Sequence, residues 1–347
     1  MREINDCGGS TLKRIEFIDC AKGICIILVV YHHAVSYVGT SLPFDHILQC
    51  FRMPLYFMLS GIFFKPYNIY IEFLVKKLNR LLIPFLFFFC FTSILLPFIL
   101  TGGTINIRVI AKTLIIEDFF NLPIWFLLCL FNTNLLYYAI IYLFKRYNYK
   151  SFYVGMTCVG LGFVSYMLGN NSINLPFYID TSIASFPFFF CGHLLKRFFL
   201  FMSGQALDRL RLINLSLLIT IMLVLYVYAK PINFESNNYS DTSFLLFCIC
   251  GVLGTILVFM LSKILYMLPI MHYINYLGKY SIITLCTHIL FVGPFSKLLG
   301  LYIPSDWLKL IIIVAITCIL EITIIVPLFR KYLPYFTAQK DLIKYTV

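Results

Sequence analysis

The chain has 347 residues, of which 61% are hydrophobic, 18% aromatic and only 12% charged. Runs of about 20 apolar residues recur along its whole length, which excludes a soluble globular protein and indicates a polytopic membrane protein. The formal net charge of +12 does not indicate nucleic-acid binding, because the basic residues lie between the apolar runs rather than in one patch.

The chain begins with a polar lead over residues 1–16. About ten membrane-spanning helices are predicted after it, since a backbone that crosses a bilayer must satisfy its own hydrogen bonds. The predicted spans are 17–38, 46–64, 81–100, 124–144, 151–169, 178–195, 212–229, 243–262, 281–300 and 307–329. They form one all-α membrane domain over residues 17–329, which a tail of residues 330–347 follows.

The distribution of basic residues predicts the orientation of these spans. Most of the 27 Lys and Arg residues fall in the lead, the tail and every second loop, whereas the alternate loops carry few. Loops rich in Lys and Arg stay in the cytoplasm, so both termini are predicted to be cytoplasmic.

The 12 cysteines do not predict a metal site or a disulfide framework. Most of them lie inside apolar runs, and no two CxxC units are present. A cysteine in such a place behaves as a small apolar residue. No metal and no bound cofactor are therefore expected.

The first span, FIDCAKGICIILVVYHHAVSYV, places Asp19, Lys22, His32 and His33 inside an apolar run. Ionisable groups at such positions are costly and usually mark a site or a pathway. Lys22 and His33 are 11 positions apart, so at about 100° per residue they share one helix face, roughly 16 Å apart along the axis. A lysine that only reaches towards the interface and a histidine that only packs remain the alternatives.

Residues 14–33, RIEFIDCAKGICIILVVYHH, are similar to the opening of the acyltransferase-3 family of membrane proteins. The hallmark of that family is a basic residue, ten intervening residues and a histidine, which Lys22 and His33 match. The branch that the sequence resembles is that of the fucose 4-O-acetylase-like sugar O-acetyltransferases. Position 32, commonly glycine in that branch, is His32 here.

The second span contains FRMPLYFMLSGIFF, which resembles an aromatic-rich element of the family that closes with Ser-Gly. Members of the branch often carry His where Arg52 stands, so the role of that position does not transfer from the resemblance. An arginine stays protonated, so Arg52 is expected to face a polar cavity, a carboxylate or a ligand. A side chain that extends to the outer surface is the alternative.

The loop after span two carries Lys76, Lys77 and Arg80 before LLIPF. It is similar to the family's Arg-x-x-Arg element, with Lys77 and Arg80 at the two matching positions. Cations three residues apart on a helix face one way and suit the phosphates of a CoA nucleotide. A basic cytoplasmic loop is also what topology alone requires, so both interpretations stand.

Two further segments resemble the branch. LPIWFLLCLF matches its fourth span through Trp125, although tryptophan is common at membrane interfaces; upstream, Glu117 and Asp118 lie in the longest predicted outer loop. LPFYIDTSIASFPFFFCGHLLKR, residues 175–197, matches through Asp180. Asp180 is predicted to orient an imidazole or to bind sugar hydroxyls, the alternative being an exposed carboxylate at a helix start that favours the helix N-terminus.

Residues 275–290, NYLGKYSIITLCTHIL, resemble the family's late Gly-x-x-Ser…His stretch through Gly278, Ser281 and His288. Glu321, in span ten, falls at a depth similar to that of His288. Two ionisable groups at one depth are plausible partners. We interpret this pair as a structural or gating element rather than as the acid–base machinery.

The resemblance implies transfer of an acetyl or other short acyl group from acyl-CoA, a co-substrate, to a hydroxyl of a cell-surface or lipid-linked carbohydrate. The enzyme would lie in the cytoplasmic membrane, with lipid as its surroundings and no nucleic-acid partner. A transporter or exporter of a lipid-linked sugar would also need charges within the membrane. A membrane scaffold without activity would not need Lys22, His33, Arg52, His288 and Glu321 together.

Among the 6 histidines, only His32 and His33 are expected at the depth of Arg52 and Asp180. His33 shares the face of Lys22, whereas a neighbouring residue points about 100° away. Histidine has an unperturbed pKa near neutrality and commonly serves as a general base. We therefore predict His33 as the base, Asp180 as its orienting group and Arg52 as the stabiliser of the oxyanion, with Lys22, Lys77 and Arg80 guiding acyl-CoA.

Overall fold

The computed structural model describes residues 16–43, 45–67, 69–101, 120–147, 150–203, 209–266 and 268–345. Within these ranges the regular structure is helical, apart from one isolated bridge between Asn233 and Asn238. The predicted all-α class is thus confirmed for the described part of the chain. Residues 1–15 of the predicted lead, and the loop acids Glu117 and Asp118, lie outside the described residues.

The helices follow one another along the chain with short breaks. They are α1 (Glu16–Val38), α2 (Asp45–Ile62), α3 (Tyr70–Lys77), α4 (Ile83–Cys90), α5 (Leu96–Thr101), α6 (Trp125–Arg146), α7 (Ser151–Asn170), α8 (Ile179–Ala184), α9 (Phe186–Ser203), α10 (Arg209–Tyr226), α11 (Phe244–Leu265), α12 (Met271–Lys279), α13 (Ser281–Thr287), α14 (Ile289–Gly300), α15 (Asp306–Leu320) and α16 (Val326–Tyr332). π-Helical turns at Leu78–Leu82, Phe91–Leu95 and Glu321–Ile325 join α3 to α4, α4 to α5 and α15 to α16.

Six helices of the described chain are long and apolar enough to cross a membrane. They are Phe17–Val38, Tyr70–Ile99, Leu122–Arg146, Ser151–Asn170, Phe244–Leu265 and Asp306–Tyr332. The pair α13 and α14, bent by 51°, makes a seventh if it is one span. The predicted spans two, six and seven correspond to α2, to α8 with α9, and to α10. These helices do not pass the same test of length and apolarity, so the total of about ten membrane spans remains a prediction.

The structure divides the predicted span 178–195 into two helices. Phe177 and Tyr178 have φ angles of 59° and 55°, and α8 ends at Ala184, two residues before α9 begins at Phe186. Pro187 accounts for the break between α8 and α9, because it cannot donate a backbone hydrogen bond to the carbonyl group four residues earlier, in α8. Hydrophobicity alone did not reveal this break.

Helix α1 packs against α2, α11, α12, α14 and α15, so its polar face is enclosed by protein. Its contact with α12 depends on two glycines. A Cβ atom at Gly278 would collide with the carbonyl oxygen of Asp19, and one at Gly23 would collide with that of Ile274. Small residues allow such close approach of helices within membranes, and this contact fixes the position of α1.

Residues 333–345, here called the tail strap, fold back onto the turn between α3 and α4. The Asn79 side chain is buried; its Nδ2 donates to the carbonyl oxygen of Ile343 at 2.9 Å, and its Oδ1 accepts from the backbone N–H groups of Leu342 at 2.8 Å and Ile343 at 2.9 Å. Phe336 stacks on Phe87 with ring centroids 4.7 Å apart. The tail strap therefore lies on the same side of the molecule as the basic turn.

A topology reporter tests on which side of the membrane the tail strap and the basic turn lie. A phosphatase fused after Val347 is expected to be inactive, because the tail is predicted to be cytoplasmic and the enzyme needs the periplasm. The exposed Ser236, changed to Cys, is expected to react with a membrane-impermeant maleimide added to intact cells. An active phosphatase fusion would contradict the predicted orientation, whatever the labelling result.

Candidate active site

A cavity of about 630 Å³ is lined by side chains of α1, α2 and α6 and by residues 231–240. Its lining includes His32, His33, Arg52 and Trp125, and we call it the histidine cavity. It therefore gathers three of the predicted site residues, His33, Arg52 and Trp125, although these come from three different helices. The Trp125 ring also packs on Tyr178, with centroids 5.5 Å apart.

Both neighbouring imidazoles of α1 line this cavity. The His32 and His33 ring centroids are 5.2 Å apart, and the His33 centroid lies 5.2 Å from that of His288. The expectation that His32 turns away from the site is thus wrong. The cavity covers a wide arc of α1, from Val29 to Tyr37, so a difference of about 100° between adjacent residues does not exclude either one.

Arg52 presents a buried cation to the histidine cavity. Its side chain is 6% exposed, and in the described part of the chain its Nη1 has no hydrogen-bond partner. The Cys25 thiol donates to the Arg52 carbonyl oxygen at 3.3 Å, which ties α1 to α2 here. A buried donor without a partner is costly, so this atom is suited to an anionic or carbonyl oxygen of a ligand.

Residues 231–240 cover one side of the cavity. The backbone N–H of Ile232 donates to Gln49 Oε1 at 2.9 Å, which anchors the segment to α2, and Asn233, Glu235 and Asn238 contribute to the lining. The sequence analysis did not predict that these polar groups belong to the site. The signal was the polar run NFESNNYSD that follows the predicted seventh span.

A second cavity, of about 540 Å³, is lined by Lys22, Lys77 and Arg80, and we call it the lysine cavity. Lys22 Nζ lies 4.4 Å from the centroid of the Phe63 ring, and Lys77 Nζ lies 5.5 Å from that of Phe73. Cations are attracted to the faces of aromatic rings. The structure thus brings together the three cations that are predicted to guide acyl-CoA.

The tail strap reaches the edge of the lysine cavity. Arg80 donates to the carbonyl oxygen of Ala338, and its Nη2 lies 3.7 Å from an Asp341 carboxylate oxygen. Gln339 lines the cavity itself. The ion pair is exposed, and such pairs are weak, so it holds Arg80 only loosely.

Three side chains, Tyr56, Phe126 and Leu285, line both cavities. The rings of Tyr56 and Phe126 are 5.1 Å apart between centroids, and Tyr56 and Leu285 are buried. The histidine and lysine cavities are therefore separated by one layer of side chains. We call this layer the dividing wall.

Asp180 does not converge on the histidine cavity. It lies in the first turn of α8, is 3% exposed, and does not belong to the lining of either cavity. Its carboxylate is hydrogen-bonded to the backbone N–H of Thr181 and to the Asn237 side chain. The geometry thus contradicts the expected contact of Asp180 with His33. It matches the alternative in placing the carboxylate at a helix N-terminus, but the residue is buried rather than exposed.

His288 and Glu321 do not pair directly either. Thr287 donates its hydroxyl to Glu321 Oε1 at 2.7 Å, whereas His288 Nδ1 is 2.7 Å from the carbonyl oxygen of Thr284. His288 and Glu321 were paired because they were predicted at one depth. With the 51° bend between α13 and α14, Thr287 rather than His288 faces Glu321. Asp19 remains at the contact between α1 and α12.

No group of three or more His, Cys, Asp or Glu suited to a metal ion was found within the described ranges.

These helices and their enclosed cations and imidazoles define a multi-pass membrane protein with a polar site inside the helix bundle. The family model described as an acyltransferase domain matches residues 15–327, and the chain belongs to this family, acyltransferase-3. Comparison with curated proteins gave no match, and neither did comparison with solved structures.

Proposed function

We propose that the protein is a membrane-embedded O-acyltransferase of the fucose 4-O-acetylase-like branch. It transfers an acetyl or similarly short acyl group from cytoplasmic acyl-CoA to a hydroxyl of a cell-surface or lipid-linked carbohydrate. It acts in the cytoplasmic membrane and holds no cofactor, acyl-CoA being a co-substrate. Membership of the acyltransferase family supports the reaction class.

The observation that carries the proposal is the contact of the two cavities at the dividing wall. One cavity carries cations suited to CoA phosphates, and the other carries imidazoles and a buried arginine. A thioester that enters from the lysine cavity meets the dividing wall, where Tyr56, Phe126 and Leu285 surround the acyl group. When the side chains of the dividing wall move apart, a hydroxyl in the histidine cavity comes within reach of the thioester carbonyl carbon.

His33 takes the proton of the attacking hydroxyl, since it is the imidazole of α1 that also contacts His288. The new C–O bond forms while the carbonyl oxygen gains negative charge, and Arg52 donates to that oxygen. Collapse of the tetrahedral intermediate breaks the C–S bond, and the proton passes from His33 to the departing thiolate. The products are the carbohydrate ester and free CoA.

The acceptor binds on the side that residues 231–240 cover. Asn233 and Asn238 offer carboxamides and Glu235 a carboxylate to this cavity, and such groups donate to and accept from sugar hydroxyls. Trp125 supplies an aromatic surface in the same lining. This mixture of polar groups and one indole supports a carbohydrate as the acceptor.

The test compares surface glycans of cells that lack the gene with those of cells complemented by the wild type or by His33→Ala. Mass spectrometry and ester analysis are expected to show acetyl esters with the wild type alone. Purified protein should also release CoA from acetyl-CoA only when the extracted glycan is added. Identical ester content in all three strains would refute the proposal.

One observation favours a transporter as the second candidate. Helices α13 and α14 are bent by 51°, and broken helices line the substrate sites of many transporters. Proteoliposomes containing the purified protein would decide. Counterflow of a lipid-linked sugar without CoA release would establish transport, whereas CoA release that depends on the glycan establishes acyl transfer.

The lysine cavity gives a prediction about the donor. Lys77→Ala and Arg80→Ala are each expected to raise the KM for acetyl-CoA about 10- to 150-fold, since a charge-assisted hydrogen bond contributes about 1.5–3 kcal/mol. The KM for the acceptor should change little. Steady-state kinetics with each substrate varied in turn measures both.

Lys76→Ala is the matched control for these two variants. Lys76 belongs to the same basic run but pairs with Glu72 at 2.7 Å and does not line the lysine cavity. Its removal should leave both KM values near those of the wild type. Equal increases for all three variants would indicate an effect on folding or topology instead.

A further inference from the structure

His288 occupies the bend between α13 and α14. Its side chain has 0% exposure, and it lines neither cavity. Its ring nevertheless lies next to His33, with centroids 5.2 Å apart and planes tilted by 46°. His288 therefore stands behind His33 as seen from the histidine cavity.

The backbone fixes the tautomer of His288. Its Nδ1 lies 2.7 Å from the carbonyl oxygen of Thr284, and a carbonyl oxygen only accepts hydrogen bonds, so Nδ1 carries the hydrogen. In the neutral ring Nε2 is then an acceptor. This buried Nε2 has no hydrogen-bond partner among the described residues, which is a costly arrangement unless a donor reaches it.

His33 is the neighbour able to supply that donor. A centroid separation of 5.2 Å brings facing nitrogens of two imidazoles to a hydrogen-bond distance of about 2.9 Å once the His33 ring rotates about its last torsion. Catalytic hydrogen bonds are often unformed before the substrate binds. The ring of His288, rather than the Glu321 carboxylate that Thr287 holds, packs on His33, so Nε2 of His288 is the acceptor next to this ring.

We propose that His288 is a positioning residue for His33. Its Nε2 accepts a hydrogen bond from one ring N–H of His33, so that the other nitrogen of His33 presents its lone pair to the histidine cavity. The same bond stabilises the imidazolium that forms when His33 takes the hydroxyl proton. A neutral ring performs this role without placing a further charge in the membrane interior, where charges are costly. The inference rests on His33 being the base in the proposed function.

Paired amide variants test the position of the acceptor. The side-chain amide of His288→Gln extends to the place of Nε2, whereas that of His288→Asn reaches only the place of Nδ1. We expect His288→Gln to keep kcat within about fivefold of the wild type, and His288→Asn and His288→Leu to lower kcat about 10- to 100-fold, within the range of a positioned acid–base group. The KM for acetyl-CoA should not change, since His288 does not line the lysine cavity.

Coupling to His33 separates positioning from a general structural effect. The double variant His33→Ala/His288→Leu is expected to be no slower than His33→Ala alone, because residues that act as one unit are not additive. Multiplied losses, equal activity of the Gln and Asn variants, or full activity of His288→Leu would each overturn the positioning role. If His33→Ala retains wild-type turnover, the proposed function of His33 fails, and with it the role of His288.

Discussion

Replacing His33 by Ala is expected to lower turnover roughly 10²–10⁴-fold, the usual contribution of a positioned acid–base group. The hydroxyl of a sugar is a weak nucleophile until a base takes its proton, and His33 is an imidazole that both lines the histidine cavity and contacts His288. The lysine cavity does not contain His33. Binding of acetyl-CoA and the amount of protein in the membrane should therefore stay near normal.

His32→Ala is the matched control, because its ring lines the same cavity on the same helix. Loss of the His32 imidazole should lower turnover much less than loss of the His33 imidazole, since the His33 ring packs on His288. CoA release by purified variants, together with glycan ester content in cells, measures the difference. If His33→Ala keeps wild-type activity and His32→Ala is inactive, His32 rather than His33 is the base. If both variants are active, neither residue is the base.

Arg52→Gln is expected to lower kcat about 10²–10³-fold, as the removal of one oxyanion donor does in acyl-transfer enzymes. The reason is the buried Nη1 that has no hydrogen-bond partner in the described chain, on a residue that lines the histidine cavity, where we propose that the oxyanion develops. The donor contributes mainly in the transition state. The KM for acetyl-CoA should accordingly change little while kcat falls.

Arg52→Lys distinguishes charge from geometry. Lysine keeps the positive charge but lacks the planar set of donors, so we expect activity between those of the wild type and of Arg52→Gln. Detergent-solubilised protein of unchanged elution volume would show that each variant folds. A rise in the KM for acetyl-CoA with constant kcat would place Arg52 in donor binding and would contradict the oxyanion role.

Local properties of the chain were predictable. The apolar periodicity of residues 17–38 predicts one helix, and α1 spans Glu16–Val38. A straight helix has a fixed rise and rotation per residue, so the arrangement of Lys22 and His33 followed from the sequence. They line the lysine and histidine cavities, which meet at the dividing wall.

Contacts between distant segments were not predictable. The position of Asp180 depends on the left-handed conformation of Phe177 and Tyr178 just before α8 and on the hydrogen bond that Asn237 makes, 57 positions along the chain. The contact of His33 with His288 depends on a bend that hydropathy does not reveal. Depth in the membrane restricts which residues can meet, but rotation of each helix about its axis decides which of them do.

The tail strap has a consequence for the biosynthesis of the protein. Asn79 forms its hydrogen bonds with residues 342 and 343, which follow it by 263 and 264 positions, and Arg80 meets Ala338 and Asp341. The ribosome releases these partners long after the helices around Asn79 have been inserted, at about 5–20 residues per second. The lysine cavity of a nascent chain therefore lacks Gln339 and the partners of Arg80 until residues 338–343 have been translated.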